Sequence, residues 1–323
     1  MSVYGRIIGT GSYLPEKKLT NAELEKMVDT TDEWIQTRTG IRQRSIAAEG
    51  ETTSDLAYAA VTEAIASAGI DANEIDLIVV ATTTPDLVFP STATLVQKRL
   101  GIRGCPAFDI QAVCAGYIYG LDVVDKYIRS GASKCALLIG AETFSRIVDW
   151  SDRGTCVLFG DGAGAMVIKA DDQPGIITSH IHADGNYKEL LWVPVGVSTA
   201  STEVEQGRAY TRMKGNEVFR WAVTAMSDIA SEALRTAGLE VSDVDWVVPH
   251  QANVRIIQAI SKRLKVPMEK MIVTVGEHGN TSAASIPLAF DVAVRDGRIK
   301  PGDTVLLEGF GGGFTWGSVL LRY

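Results

Sequence analysis

Cys114 stands where a reactive thiol would be useful. It follows Phe108-Asp109-Ile110-Gln111-Ala112-Val113 and precedes Ala115-Gly116-Tyr117, so a buried strand hands over to a helix at this residue. A helix N-terminus offers free N–H groups and a positive dipole end. Both lower a thiol's pKa and favour the thiolate. The same setting suits a buried structural cysteine, because free cysteine is among the most buried residue types. Cys105, Cys135 and Cys156 lack this setting and read as core or near-surface residues; the four spacings match no zinc or redox pattern.

A nucleophilic cysteine usually has a histidine partner. His250 follows Asp245-Trp246-Val247-Val248-Pro249, at the carboxyl end of a strand, where catalytic groups gather in α/β proteins. His278 lies in Glu277-His278-Gly279-Asn280-Thr281-Ser282, and there Asn280 is the better candidate. Its amide donates to a carbonyl oxygen without titrating. His180 and His182 would share one face of a strand, but no third ligand accompanies them, so a structural pair is expected rather than a metal site.

Two glycine runs require separate readings. Gly160-Asp161-Gly162-Ala163-Gly164 precedes a strand-like run instead of opening a helix, so it is no dinucleotide loop. Phe310-Gly311-Gly312-Gly313-Phe314 follows the strand Thr304 to Leu307. Backbone without side chains there suits an N–H aimed at a developing oxyanion, and equally a tight turn between strands.

The elements that carry these residues occur twice. Ala68-Gly69-Ile70 through Val80 matches Ala237-Gly238-Leu239 through Pro249 at an offset of 169 positions, and Cys135 to Gly140 matches Thr304 to Gly309 at the same offset. Continuous apolar runs such as Leu77 to Ala81 read as strands buried on both faces. Further strands are expected at Ala107 to Val113, Cys135 to Ile139 and Met271 to Val275. Helices are expected at Ala115 to Arg129, Asn216 to Thr236, Val254 to Leu264 and Ser282 to Arg295. Alternating strands and helices give a layered α/β fold with two halves, 1–172 and 173–323, about a pseudo-twofold axis. The joint falls near Asp171-Asp172-Gln173-Pro174-Gly175. Asn280 comes close to the repeat equivalent of Cys114, so loops of both halves would meet at one interface.

The net charge of −8 argues against general nucleic-acid binding, although a local basic patch is compatible with it. No stretch reaches membrane-span length, and Met1 to Gly11 lacks a secretory pattern. A cytoplasmic protein with reduced thiols is expected.

Ala-Val-Cys114-Ala-Gly, Val-Pro-His250-Gln-Ala-Asn, His-Gly-Asn280-Thr-Ser-Ala-Ala-Ser and Phe-Gly311-Gly-Gly-Phe-Thr-Trp-Gly together resemble the β-ketoacyl-acyl-carrier-protein synthase III family. The resemblance runs from Ile8-Gly9-Thr10-Gly11 to the C-terminus. It implies the thiolase fold, with duplicated αβαβα halves, and a homodimer. It implies an acyltransferase that primes fatty-acid synthesis: Cys114 takes the acyl group of a short acyl-CoA, such as acetyl-CoA, and malonyl-acyl-carrier protein then enters. His250 and Asn280 would stabilise the enolate left by decarboxylation, with the Cys114 and Gly312 N–H groups as oxyanion hole. No metal or organic cofactor is implied. The alternatives are a specialised relative with another acyl-CoA primer and a non-catalytic acyl-CoA-binding scaffold.

Binding residues follow from the same resemblance. Trp34 and Arg38, four apart, would share a helix face; Trp34 and Arg153 resemble the pair that holds the CoA adenine. Thr30 would hydrogen-bond the adenine, Arg38 and Arg255 resemble the contacts to the CoA phosphates, and Asn253 is a further CoA contact. A core position is the other reading of Trp34. Gln251, Ala252, Asn253, Val254, Arg255, Lys262 and Arg263 would form the acyl-carrier-protein surface. Arg255, Lys262 and Arg263 make a basic stripe suited to an acidic partner, or an ordinary solvated face. Phe89 resembles a residue that caps the acyl pocket of the partner subunit.

Overall fold

The computed structural model describes residues 3–199 and 209–323. Two sheets organise it. In the first, the strand order is Tyr4–Tyr13, Gly162–Asp171, Cys135–Glu142, Leu77–Ala81, Ala107–Ile110. The last three run parallel and the first two pair antiparallel. In the second, the order is Ile176–Ala183, Thr315–Arg322, Thr304–Gly311, Trp246–Pro249. Leu77–Ala81, Cys135–Glu142 and Thr304–Gly311 are buried at every residue, as strands covered on both faces must be.

Helices fill three layers around these sheets. Gly116–Arg129 and Ser285–Arg295 lie between them, packing Leu121, Val124, Ile286 and Phe290 against Val79 and Leu138 of one sheet and Val305 and Leu307 of the other. Thr53–Ala68 and Thr92–Leu100 cover the outer face of the first sheet. Gly215–Ala237 and Val254–Leu264 cover the outer face of the second. The result is the αβαβα layering of the thiolase fold.

The repeat survives in register. Leu77 pairs with Ala136 and Trp246 pairs with Val305, each partner displaced by the same 169 positions. The turns that precede the central helices repeat too: Val113 and Ser282 both adopt φ 49°, a conformation that non-glycine residues rarely hold. Glycines let these turns nest. A Cβ on Gly140 would lie 2.4 Å from the Ala283 carbonyl oxygen, and one on its repeat mate Gly309 would lie 3.3 Å from Ala115 Cα. Each half thus accepts the other half's strand-to-helix turn.

The expected strand at Met271 to Val275 does not form. Met271 makes a single parallel bridge with Val247, and a helical turn spans Val275–His278. Gln251 is the reason: its side chain donates to the Ile272 carbonyl at 3.0 Å and accepts from Thr274 N–H at 2.8 Å and Val275 N–H at 3.1 Å. Those backbone groups are satisfied by an amide instead of a ladder. The expected helix from Ser282 likewise begins as a tighter turn, Ser282–Ala284, before Ser285–Arg295.

Candidate active site

The strand Ala107–Ile110 delivers Cys114 into a short helical turn, Val113–Ala115, ahead of the helix Gly116–Arg129. The thiol is 3% exposed and hydrogen-bonds Ser282 Oγ at 3.5 Å. Burial pushes its pKa up to about 12, and the charge of Glu142 acts in the same direction; the Ser282 hydroxyl opposes both. The sequence leaves the resting state of this group open; in the fold desolvation outweighs the influences that lower its pKa and favours the thiol.

The strand Trp246–Pro249 delivers His250, whose N–H donates to the Glu308 carbonyl at 2.8 Å. Its Nδ1 lies 2.6 Å from Ser285 Oγ, at the start of the central helix Ser285–Arg295. Burial lowers the imidazole pKa to about 3, so the ring is neutral. Asn280 is fixed at its backbone by Leu158 and Gly160, and its Oδ1 accepts from Ser282 N–H at 2.9 Å. That leaves the amide NH₂ as its free donor. Cys114, His250 and Asn280 all line one cleft of about 450 Å³.

The glycine run lies alongside. A Cβ on Gly311 would sit 2.7 Å from Cys114 N, so only glycine admits this approach. Thr315 Oγ1 donates to the Ala112 carbonyl at 2.9 Å and the Gly312 carbonyl at 3.1 Å, tying this turn to the turn before Cys114.

At its outer end the cleft is lined by Trp34, Arg38, Arg153, Asn253 and Arg255. Trp34, on the helix Asp32–Thr39, has the Arg153 guanidinium 4.9 Å and the Arg38 guanidinium 5.9 Å from its ring centre. Thr30 Oγ1 is buried with no hydrogen-bond partner among the described residues. Asn253 caps the helix Val254–Leu264 by accepting from Arg255 N–H at 2.8 Å, and it donates to the Arg38 carbonyl at 3.1 Å.

The expected carrier-protein surface is only partly a surface. Gln251 is fully buried, and its amide is spent on backbone groups, so it positions the His250 loop instead of meeting a partner. Ala252 lines the cleft, and Val254 packs against Gly40. Arg255, Lys262 and Arg263 are exposed. Arg263 pairs with Asp228 at 2.8 Å, and Arg255 stands 5.9 Å over Phe219. Phe89 is 83% exposed, next to exposed Leu87 and Val88, and does not line the cleft of its own chain. His180 and His182 both reach Glu232, at 3.4 and 3.0 Å, which ties the strand Ile176–Ala183 to the helix Gly215–Ala237.

Sequence reasoning missed Ser282, Ser285 and Glu142. The repeat held a signal for the first, since Ser282 is the mate of Val113 beside Cys114. A carboxylate ending the apolar run Cys135–Glu142 was the signal for the third. Glu308 is a further buried carboxyl, without a hydrogen-bond partner for either oxygen among the described residues. Burial raises its pKa from 4.5 to about 8. The fold therefore holds a proton that the unfolded chain releases above about pH 4.5, and stability falls as pH rises from there to about 8. Glu308→Gln is expected to flatten this dependence by roughly 1 kcal/mol per pH unit in urea unfolding between pH 5.5 and 8. An unchanged slope would contradict the assignment.

Two family models match the chain: 3-Oxoacyl-[acyl-carrier-protein (ACP)] synthase III over residues 108–185, and 3-Oxoacyl-[acyl-carrier-protein (ACP)] synthase III C terminal over residues 234–323. The beta-ketoacyl-[acyl-carrier-protein] synthase III of Thioalkalivibrio sulfidiphilus is 62% identical over 320 residues, covering 99% of each chain. That of Xanthomonas campestris pv. campestris is 61% identical over 321 residues, again covering 99% of each. The crystal structure of 3-oxoacyl-[acyl-carrier-protein] synthase III from Aquifex aeolicus superimposes with a TM-score of 0.94 at 49% identity, covering 99% of this chain and 100% of that one.

Proposed function

The chain belongs to the 3-oxoacyl-[acyl-carrier-protein] synthase III family of acyltransferases, and from that premise we propose how its cleft works. The reaction condenses an acyl-CoA with malonyl-acyl-carrier protein, with loss of CO₂, and so initiates fatty-acid synthesis. The observation that supports the assignment of roles is the convergence of Cys114, His250 and Asn280 on one cleft whose outer end carries Trp34 and three arginines.

Cys114 attacks the acyl-CoA carbonyl, and acetyl is the primer we favour. The N–H groups of Cys114 and Gly312 receive the oxyanion, since the glycine turn packs directly on the nucleophile. CoA leaves with the acyl group retained as a Cys114 thioester. Malonyl-acyl-carrier protein follows, and His250 and Asn280 donate to its thioester oxygen. With Ser285 Oγ–H donating to Nδ1, the proton of the neutral imidazole sits on Nε2 and is available to the substrate. Two neutral donors suit an enolate: they stabilise charge that develops only as CO₂ departs. The enolate carbon then attacks the acyl-cysteine. Each step uses groups of this chain, so the scheme calls for no metal or organic cofactor.

Trp34 and Arg153 hold the CoA adenine, with Thr30 as a polar contact; Arg38 and Arg255 meet the CoA phosphates, and Asn253 lies along the CoA chain. Arg255, Lys262 and Arg263 steer the acidic carrier protein, helped by Ala252 and Val254 at the cleft edge. Residues 1–172 and 173–323 act as two halves of one catalytic unit. A homodimer gives the exposed Phe89 segment an apolar environment and places Phe89 against the partner's acyl pocket.

Trp34→Ala with Arg153→Ala is expected to raise KM for acetyl-CoA about tenfold and leave kcat within about twofold, because stacking and cation–π contacts bind ground and transition states alike. Steady-state kinetics check this; a loss confined to kcat would contradict it. The roles as a whole are tested by incubating the protein with acetyl-CoA and mapping the adduct by mass spectrometry. One acetyl group on Cys114 is expected. No adduct with acetyl-CoA, but one with a longer or aromatic acyl-CoA, would move the primer assignment; no adduct with any would overturn the nucleophile.

A further inference from the structure

Arg44 is fully buried on the strand Gln43–Ser45. Its guanidinium donates to neutral oxygens and to no carboxylate among the described residues. Nη1 reaches the Leu19 carbonyl and Asn21 Oδ1, each at 3.0 Å; Nη2 reaches Asn21 Oδ1 at 3.0 Å and the Val157 carbonyl at 2.9 Å. Burial lowers its pKa to about 10, so the group stays charged at neutral pH. A buried cation without a carboxylate is costly. What it supplies is a rigid fork that joins three acceptors from separate segments.

Two of these acceptors lead to the outer end of the cleft. Asn21 is buried, and its Nδ2 donates to Asp32 Oδ1 at 2.7 Å and to the Ile41 carbonyl at 2.8 Å. Asp32 opens the helix Asp32–Thr39, which carries Trp34 and Arg38, and Ile41 follows its C-cap, Gly40. Asn21 thus holds that helix at its start and just past its end. Val157 caps the helical turn Arg153–Cys156, which carries Arg153. Ile35, Ile41, Val157 and Phe159 pack in one apolar cluster, but apolar contact is non-directional. The fork supplies the direction. The stem of Arg44 is wedged in place as well: a Cβ on Gly160 would lie 2.8 Å, and one on Gly279 3.0 Å, from Arg44 Cβ.

Resting on the reading of Trp34 and Arg153 as the grip on the CoA adenine and of Arg38 on its phosphates, we propose that Arg44 is the positioning residue of that grip. Its fork sets the spacing between the Trp34 helix and the Arg153 turn, and with it the affinity for the nucleotide of the acyl-CoA. Arg44 touches no reacting atom. The elements it joins meet the nucleotide and not the thioester, so losing the fork harms only substrates that carry the nucleotide.

The test is single-turnover acetylation of Cys114, read by rapid quench and mass spectrometry, with acetyl-CoA and with S-acetylpantetheine, the same thioester without the phosphorylated nucleotide. Arg44→Met keeps the stem against Gly160 and Gly279 and removes the fork. It is expected to raise the half-saturating acetyl-CoA concentration about fivefold, with the maximal rate and the acetylpantetheine rate each within about twofold of wild type. Asp32→Ala cuts the same chain at its outer link, away from the buried charge, and should raise half-saturation about threefold with the same selectivity. It decides the question if Arg44→Met fails to fold. Equal losses on both thioesters, or unchanged half-saturation in the folded variants, would overturn the role of Arg44. Trp34→Ala with Arg153→Ala tests the premise separately: if that variant fails to distinguish the two thioesters from each other, the grip reading itself falls.

Discussion

Cys114→Ser is expected to lower condensation of acetyl-CoA with malonyl-acyl-carrier protein by at least about 10³-fold and to eliminate the covalent acetyl adduct. The hydroxyl is smaller, less polarizable and far less acidic than the thiol it replaces. The residue is buried in a turn whose neighbours leave no room for rearrangement: Gly311 approaches its backbone so closely that a Cβ would lie 2.7 Å away. The substitution keeps the volume nearly constant and can still hydrogen-bond Ser282, so stability should change by less than about 1 kcal/mol. Kinetics and thermal unfolding on one preparation separate the two effects. An active serine variant would remove Cys114 from the mechanism.

His250→Ala and Asn280→Ala are each expected to lower condensation by about 10²–10³-fold, the usual cost of one preorganised donor to an oxyanion. Their signature lies in which half-reaction is lost. Acetylation of Cys114 should persist in both variants within about tenfold, whereas decarboxylation of malonyl-acyl-carrier protein should fall with the full factor. The double variant should cost little more than the worse single, because two donors serving one oxygen act as a unit. The neutral ring of His250 also limits its pH response: with its pKa held near 3 by burial, it does not titrate between pH 5 and 9. Carbon dioxide release and intact-mass measurements distinguish the half-reactions. Loss of acetylation equal to loss of decarboxylation would contradict the division of labour.

Patterns that depend on local physics were readable in the sequence. Leu77–Ala81 and Val254–Leu264 fall where apolar continuity and helical spacing place them. The 169-residue repeat carried further, to the strand pairing and to the matching turns before the central helices. What stayed hidden depends on long-range approach. Met271 to Val275 looks like a strand until the Gln251 amide, more than twenty positions away, takes its backbone groups. Gln251 itself looked like a surface contact because it follows His250, yet its side chain points inward. Ser282 gains meaning only from a thiol 168 positions distant. The resting state of that thiol was not legible for the same reason: the helix end is local, whereas the desolvation that opposes it comes from the whole fold.

The most direct measurement combines purified protein with labelled acetyl-CoA and verified malonyl-acyl-carrier protein and compares wild type with Cys114→Ser. Labelled 3-oxoacyl-carrier protein, free CoA and CO₂ from wild type alone is the predicted result. Product from both proteins, or from neither while the wild type turns over no other acyl-CoA, would contradict the account.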